Sequence, residues 1–319
     1  MTSLPMRLRL ASGRMVADVF FRGASRLGHL HPQAKPERHG VEVLKNISYG
    51  PENEHRLDIY RPIERQEPLP VVLYVHGGGF RILSKDTHWV AGLAFARRNY
   101  VVVNIDYRLA PKFRYPAAPQ DVCAAYCWLI DNISSYGGDG SRIALAGESA
   151  GGNLITSLCL SACCRRDEDW ARAVWQTGVV PRAVLPAAAL LQVSDPHRFL
   201  RLSTPPPWYQ WDRIAEVSAL YLPKDKLHSL DLANPLLFLE TAEGTDRPLP
   251  PFYLSVGTAD PIANDSLRLE RALKRLGTEV KASYFQNEPH AFHMFVFRET
   301  ARTCWREMLD FLAKHMGEP

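Results

Sequence analysis

Residues 142–153 read RIALAGESAGGN, and the way this stretch divides decides the fold. RIALA is apolar without polar alternation, the pattern of a strand covered on both faces of a parallel sheet. Gly147-Glu148-Ser149-Ala150-Gly151 follows, and apolar residues then recur at helical spacing. Strand, sharp turn with serine between two glycines, then helix is the context of the GxSxG nucleophile elbow. A turn this tight leaves no room for side chains at 147 and 151. Ser149 is expected in strained backbone geometry, with Oγ raised above the sheet edge and the next amide at a helix N-terminus.

Outward from the elbow, strand-like and helix-like segments alternate. LPVVLYVHG (69–77), YVVVNIDY (100–107), SRIALAG (141–147), PPFYLSVG (250–257) and EVKASYF (279–285) read as strands, several of them without polar alternation and so buried on both faces. Helical patterns cover His88–Arg98, Ala118–Asn132, Gly152–Arg165, Ser266–Leu276 and Ala301–Met316. VEVLKNISYG (41–50) and HRLDIYRP (55–62) look like an opening antiparallel pair. The order predicts an α/β fold with a mostly parallel central sheet of about eight strands and helices on both faces. Ser194–Asn234 breaks the rhythm with a Pro-rich loop, an aromatic cluster and a short helix, and reads as a lid.

The chain has 319 residues, 46% of them hydrophobic, enough for a large core, and its 38 basic and 34 acidic residues form no basic stripe for nucleic acid. Six cysteines (Cys123, Cys127, Cys159, Cys163, Cys164, Cys304) form no CxxC pair, and two pairs fall at i,i+4 spacing in predicted helices. Buried free thiols in a reducing, cytoplasmic setting are the expectation. None of the eleven histidines sits in an HExxH-type pattern, so no metal and no cofactor are expected. Arg7, Arg9 and Arg14 interrupt every apolar run at the N-terminus before it reaches signal-peptide length, and no stretch is long enough for stable membrane insertion. Met15/Val16, Val19/Phe20, Gly23, Leu27 and Leu30 recur at helical spacing, predicting an amphipathic helix with arginines on its other face. A helix packed on its own protein is preferred over one lying on a membrane surface.

At 76–80 the chain reads HGGGF, immediately after a predicted strand. A dinucleotide fingerprint started at Gly77 needs glycine at 82 and finds Ile82; a P-loop started at Gly79 finds Ser84-Lys85-Asp86 in place of Gly-Lys-Ser/Thr. Both phosphate readings fail, and bare backbone amides remain.

Serine needs a base and an orienting acid. Asp260 lies just past the strand PPFYLSVG; Asp265 competes, but reads as an N-cap for the following helix. After EVKASYF comes QNEPHAFHMF, with His290 in the loop opened by Pro289 and His293 at the start of the next segment. His290 is the preferred base. The order Ser149, Asp260, His290 is that of α/β-hydrolases.

HGGGF (76–80), DYRLAP (106–111), YPAAPQD (115–121), GESAGG (147–152), GTADP (257–261) and PHAF (289–292) together resemble the hormone-sensitive-lipase-like branch of bacterial esterases, an α/β-hydrolase family. The resemblance runs from about residue 40 to the C-terminus and implies a catalytic triad of Ser149, Asp260 and His290. It implies an oxyanion hole from the amides of Gly78, Gly79 and Ala150, and a helical cap made by residues 1–45 and 194–234 over a catalytic domain of 46–193 and 235–319. Lys112 stands where the family's YRLAPE has glutamate, and Asn264 where it has a second acid, which puts the partners of Asp106 and Arg108 in question. The expected activity is hydrolysis of small esters with short to medium acyl chains through an acyl-enzyme. Phe80, Trp89, Trp208, Tyr209 and Trp211 are candidate pocket walls. An amidase or deacetylase with the same triad, and a non-catalytic receptor on the same fold, are the rival readings. Strand 280–285 is expected at a sheet edge, able to pair in a homodimer unless Lys281 guards it.

Overall fold

The computed structural model describes residues 18–19, 22–23, 25–64, 68–224 and 229–317. Eight strands form one sheet: β1 (Val41–Ser48), β2 (Arg56–Pro62), β3 (Leu69–Val75), β4 (Val101–Ile105), β5 (Gly138–Glu148), β6 (Ala183–Ala187), β7 (Phe252–Gly257) and β8 (Val280–Phe285). Their order is β1-β2-β4-β3-β5-β6-β7-β8. β2 pairs antiparallel with β1 and β4, and every other pairing is parallel.

Parallel neighbours need crossover helices, and those helices bury both faces of the sheet. The helices are α1 (Trp89–Ala96), α2 (Ala117–Asn132), α3 (Ala150–Cys163), α4 (Asp169–Gln176), α5 (Trp208–Tyr221), α6 (Pro235–Thr241), α7 (Ala263–Arg275) and α8 (Glu299–Met316). Side chains of β3 alternate between two cores. Val71, Leu73 and Val75 pack with Val122, Tyr126, Leu154, Leu158 and Leu269 from α2, α3 and α7. Val72 and Tyr74 pack with Phe95 of α1 and Trp305, Met308 and Leu312 of α8. Full burial of one such side chain contributes about 1.5–3 kcal/mol, so the centre of the sheet is its most firmly held part. The carboxyl ends of β3, β5, β7 and β8 therefore present their loops from a rigid base.

Two expectations change. The strands read from the sequence do not include 183–187, yet this run forms the interior strand β6, with Pro186 in register opposite Gly147 although proline ordinarily favours an edge. The N-terminal helix touches the body through Asp18, Ser25 and His29, while three residues of its apolar stripe, Val19, Leu27 and Leu30, are 64%, 70% and 78% exposed. Arg22 and Arg26 are exposed as well, and Met15, Val16 and Phe20 lie outside the described residues. β8 does sit at a sheet edge. All six cysteines are free, and five of them are buried.

Candidate active site

The elbow forms where β5 meets α3. Ser149 has φ 51° and ψ −114°, a conformation costing on the order of 1–3 kcal/mol that persists only when its surroundings enforce it. Enforcement comes from both sides: Ser149 N–H donates to Ala187 O (2.9 Å), and Ser149 O accepts from Leu190 N–H and Asn153 N–H (both 3.2 Å). A Cβ on Gly151 would lie 2.0 Å from Val75 O and 2.7 Å from His76 O, so only glycine lets the elbow press against the end of β3.

That contact brings the HGGGF loop to the serine. Gly78 has φ +103°, and its carbonyl accepts from Arg81 N–H (3.0 Å) and Ile82 N–H (3.1 Å), closing a tight turn. A Cβ there would meet Ile82 O at 2.1 Å. Among the described residues, the Gly78 and Gly79 amides have no backbone or side-chain acceptor. Ala150 is the first residue of α3, where no intrahelical carbonyl precedes its N–H. From behind, Tyr107 donates its hydroxyl proton to His76 O (3.0 Å) and Ala110 N–H donates to Phe80 O (2.8 Å).

The acid and the imidazole arrive from β7 and β8 on loops tied to each other. Ala259 N–H donates to Glu288 O (3.1 Å), and Asn287 N–H to Thr258 Oγ1 (2.8 Å). The Glu288 carboxylate accepts from Arg298 (2.9 Å) and Thr300 (2.6 Å), pinning the far end of the His290 loop. Asp260 is buried; its Oδ1 accepts from Ile262 N–H (2.9 Å) and its Oδ2 from His290 Nδ1 (2.8 Å). With Nδ1–H committed to the carboxylate, Nε2 is the nitrogen left for a proton transfer. Burial lowers the basicity of His290, but the Asp260 charge and hydrogen bond outweigh it, with Glu148 adding, and raise its pKa to about 9. The ring is still 38% exposed, so it is reachable from solvent. The Ser149 hydroxyl makes no protein hydrogen bond among the described residues, an arrangement that tightens when substrate enters such sites.

Beneath this site lies a buried cluster that the sequence did not reveal. Glu148 Oε1 is 3.3 Å from His88 Nε2, and Oε2 is 3.5 Å from His293 Nε2. Burial works against its charge, yet the His88 hydrogen bond, with the charges of His88, His293 and His290, holds its pKa at about 2. Burial, with the nearby His88 charge adding to it, pushes His76 down to about 3. Burial lowers His293 too. His293 is thus packed beneath the site and does not compete for its mouth. The one signal was a carboxylate beside the serine of a buried turn.

Other candidates divide. Asp265 is no N-cap: α7 begins at Ala263, and the buried Asp265 carboxylate accepts from Leu191 N–H (2.9 Å), Gln192 N–H (3.2 Å) and Arg198 (2.7 Å). Phe80 is fully buried and stacks on Tyr221 at 3.8 Å, so it fastens α5 to the glycine loop and does not wall a pocket. The buried Arg81–Glu216 pair (2.7 Å) ties the same two elements. Trp89 stacks on His29 (4.5 Å) and Trp211 packs on His197 (5.3 Å). Trp208 and Tyr209 are 65% and 54% exposed and meet edge to face, outside any enclosed wall. Arg108 is not short of an acid, since Asp121 takes it at 2.6 Å, while Lys112 pairs with Glu54 at 3.2 Å. Asn264 is the second residue of α7.

A serine elbow, an acid–imidazole pair and a glycine loop at the carboxyl ends of one parallel sheet define an α/β hydrolase. Residues 72–294 match the family described as the alpha/beta hydrolase fold, and the chain belongs to it, in the hormone-sensitive-lipase-like esterase branch. Carboxylesterase NlhH of Mycobacterium tuberculosis is 29% identical over 300 residues, covering 92% of this chain and 86% of that protein. Esterase LipI of the same organism is 32% identical over 294 residues, covering 91% and 84%. The solved structure of esterase LipW from Mycobacterium marinum matches with a TM-score of 0.74 over 97% of this chain and 90% of that one; at 23% identity this likeness concerns the fold alone.

Proposed function

We propose that this carboxylic ester hydrolase cleaves small esters with short to medium acyl chains through an acyl-enzyme on Ser149. His290 Nε2 takes the serine proton as Oγ attacks the carbonyl, then delivers it to the leaving alcohol; water repeats the sequence on the acyl-enzyme. Asp260 holds the imidazole in the required tautomer. The amides of Gly78, Gly79 and Ala150 receive the carbonyl oxygen as it becomes negative, where one aimed donor is worth about 10²–10³ in turnover. The observation that carries this reading is the 2.8 Å Asp260–His290 contact, delivered by strands of the same sheet that holds the strained serine.

Residues 194–234 act as a cap in this account, supported by Val217, Glu216 and Tyr221 of α5 lying against Gly79, Arg81 and Phe80. The edge position of β8 supports a strand-paired homodimer, and the free thiols support a cytoplasmic setting. Among the described residues no helix is long and apolar enough to cross a membrane. A p-nitrophenyl ester series from acetate to palmitate tests the substrate range. The highest kcat/KM is expected between acetate and octanoate; a maximum on palmitate or on emulsified triolein would contradict it.

A further inference from the structure

Behind the elbow the sheet and α8 leave an interior cavity of about 10 Å³, walled by Gly147 of β5, Leu185 of β6, and Trp305 and Met308 of α8. Two polar side chains line it as well: Tyr74 of β3 and His293, which shares a loop with His290. Tyr74 and His293 are 3% and 2% exposed, and neither Tyr74 Oη nor His293 Nδ1 has a hydrogen-bond partner among the described residues. Unpaired polar groups at this depth are costly, and native proteins satisfy them with protein atoms or with ordered water. These two atoms do not pair with each other. A site for one water needs about 10–15 Å³ and two to four polar partners, and this cavity supplies both.

The chemistry of the two side chains gives a bridge between them a direction. Burial, with the Glu148 charge adding to it, pushes the Tyr74 phenol well above its ordinary range, so it keeps its proton. Burial lowers His293, so its imidazole is neutral, with one donor nitrogen and one acceptor. His293 Nε2 lies 3.5 Å from Glu148 Oε2, a buried oxygen with no hydrogen bond of its own among the described residues. The carboxylate therefore selects the tautomer with the proton on Nε2, which leaves Nδ1 as an acceptor. A water between the two accepts from Tyr74 and donates to Nδ1. The Trp305 indole donates to His293 O (2.9 Å) and holds that residue in place. The charged and titratable groups around Glu148 and His293 are His76, His88, His290, Asp260, Tyr74 and Tyr107.

We propose that this cavity binds one ordered water, and that Tyr74 and His293 are positioning residues that use it to seat Glu148 beneath the catalytic loops. Glu148 adjoins Ser149, and a Cβ on Gly77 would lie 2.5 Å from its Oε1, so the carboxylate lies directly against the glycine loop. Through His293 it also meets the loop that carries His290. With the water in place, the Nε2 proton points at Glu148, and the carboxylate keeps its position and its charge below His290. Without the water's proton on Nδ1, the ring can take its other tautomer, which turns a lone pair towards the carboxylate and pushes it away. The catalytic part of this inference rests on His290 as the general base; the water site does not.

High-resolution crystal structures of the wild-type protein and of Tyr74→Phe, read beside nitrogen NMR of the histidine rings, test this. The wild type is expected to show one water within about 2.5–3.2 Å of both Tyr74 Oη and His293 Nδ1, and a His293 ring protonated on Nε2 at neutral pH. Tyr74→Phe keeps the ring packing and removes one partner of the water. Its melting temperature should fall and its His293 signals should move towards the Nδ1–H tautomer. The half-maximum of kcat/KM should move to lower pH by about half a unit, because Glu148 helps raise His290. A wild-type cavity that holds no water, or a wild-type His293 ring protonated on Nδ1, overturns the proposal. So does a Tyr74→Phe protein as stable as wild type or more so, since deleting a hydroxyl that bonds nothing removes a penalty. A variant with the altered tautomer and an unmoved pH profile overturns the positioning role. Failure of the esterase reading shows separately, as a wild type that takes no fluorophosphonate while the water and the tautomer are as expected.

Discussion

His290 Nδ1 donates to Asp260 Oδ2 over 2.8 Å, and Asp260 is buried where no water competes for the contact. The pair stabilises the imidazolium and raises the His290 pKa from 6.5 to about 9. A protonated ring cannot accept the serine proton, so kcat/KM should climb with pH and reach half its maximum well above 6.5, towards 9. The stability sign is opposite: the pair's contribution is complete below about pH 6.5 and lost as pH rises through about 9. A pH–rate profile at half-maximum at or below 6.5 contradicts the assignment. Asp260→Asn should move the limb to lower pH and cut kcat about 10⁴-fold.

Asp265→Ala should behave in the opposite way. Its removal strands Arg198, which is only 11% exposed, and two backbone amides, a loss of about 3–5 kcal/mol. A large fall in denaturation midpoint with the residual folded fraction fully active is expected. If instead the variant keeps its stability and loses turnover, Asp265 has a catalytic part that this account denies.

The two proposed oxyanion donors, Gly78 and Gly79, can be told apart by their surroundings. Gly79→Ala meets a side chain, Val217 Cγ2 at 2.7 Å, whereas Gly78→Ala meets backbone, Ile82 O at 2.1 Å. Each should lower kcat by about 10²–10³ by moving an amide off the developing oxyanion. Val217→Ala should partly restore the Gly79 variant and do nothing for the Gly78 variant. Equal rescue of both would show that the losses are general loosening of the loop.

Glu148→Gln keeps the shape of the side chain and removes a charge facing His88, His293 and His290. The cluster should lose about 1–3 kcal/mol, read as a lower melting temperature, and the His290 limb should shift to lower pH because Glu148 helps raise it. An unchanged melting temperature would remove the cluster from the account.

Much of this site was legible in the sequence because its demands are local. An apolar strand, a glycine-flanked serine and a helix within residues 142–153 leave one geometry, and HGGGF excludes phosphate loops by its missing residues. What was not legible depends on partners distant in the chain. Pro186 is tolerated in a central strand, although proline ordinarily signals an edge. Asp265 looked like a cap until residues 191, 192 and 198 came to it. Phe80 finds Tyr221, and Glu148 finds two histidines, across separations that periodicity does not carry. The N-terminal stripe had the right period, but period does not say whether a face meets protein or water.

Intact mass after exposure to a fluorophosphonate, read beside p-nitrophenyl butyrate turnover for wild type and Ser149→Ala, tests the central claim most directly. One adduct on the wild type, none on the variant, and a loss of turnover of roughly 10⁴-fold or more are predicted. An adduct on the variant, or wild-type turnover without Ser149, would contradict the account.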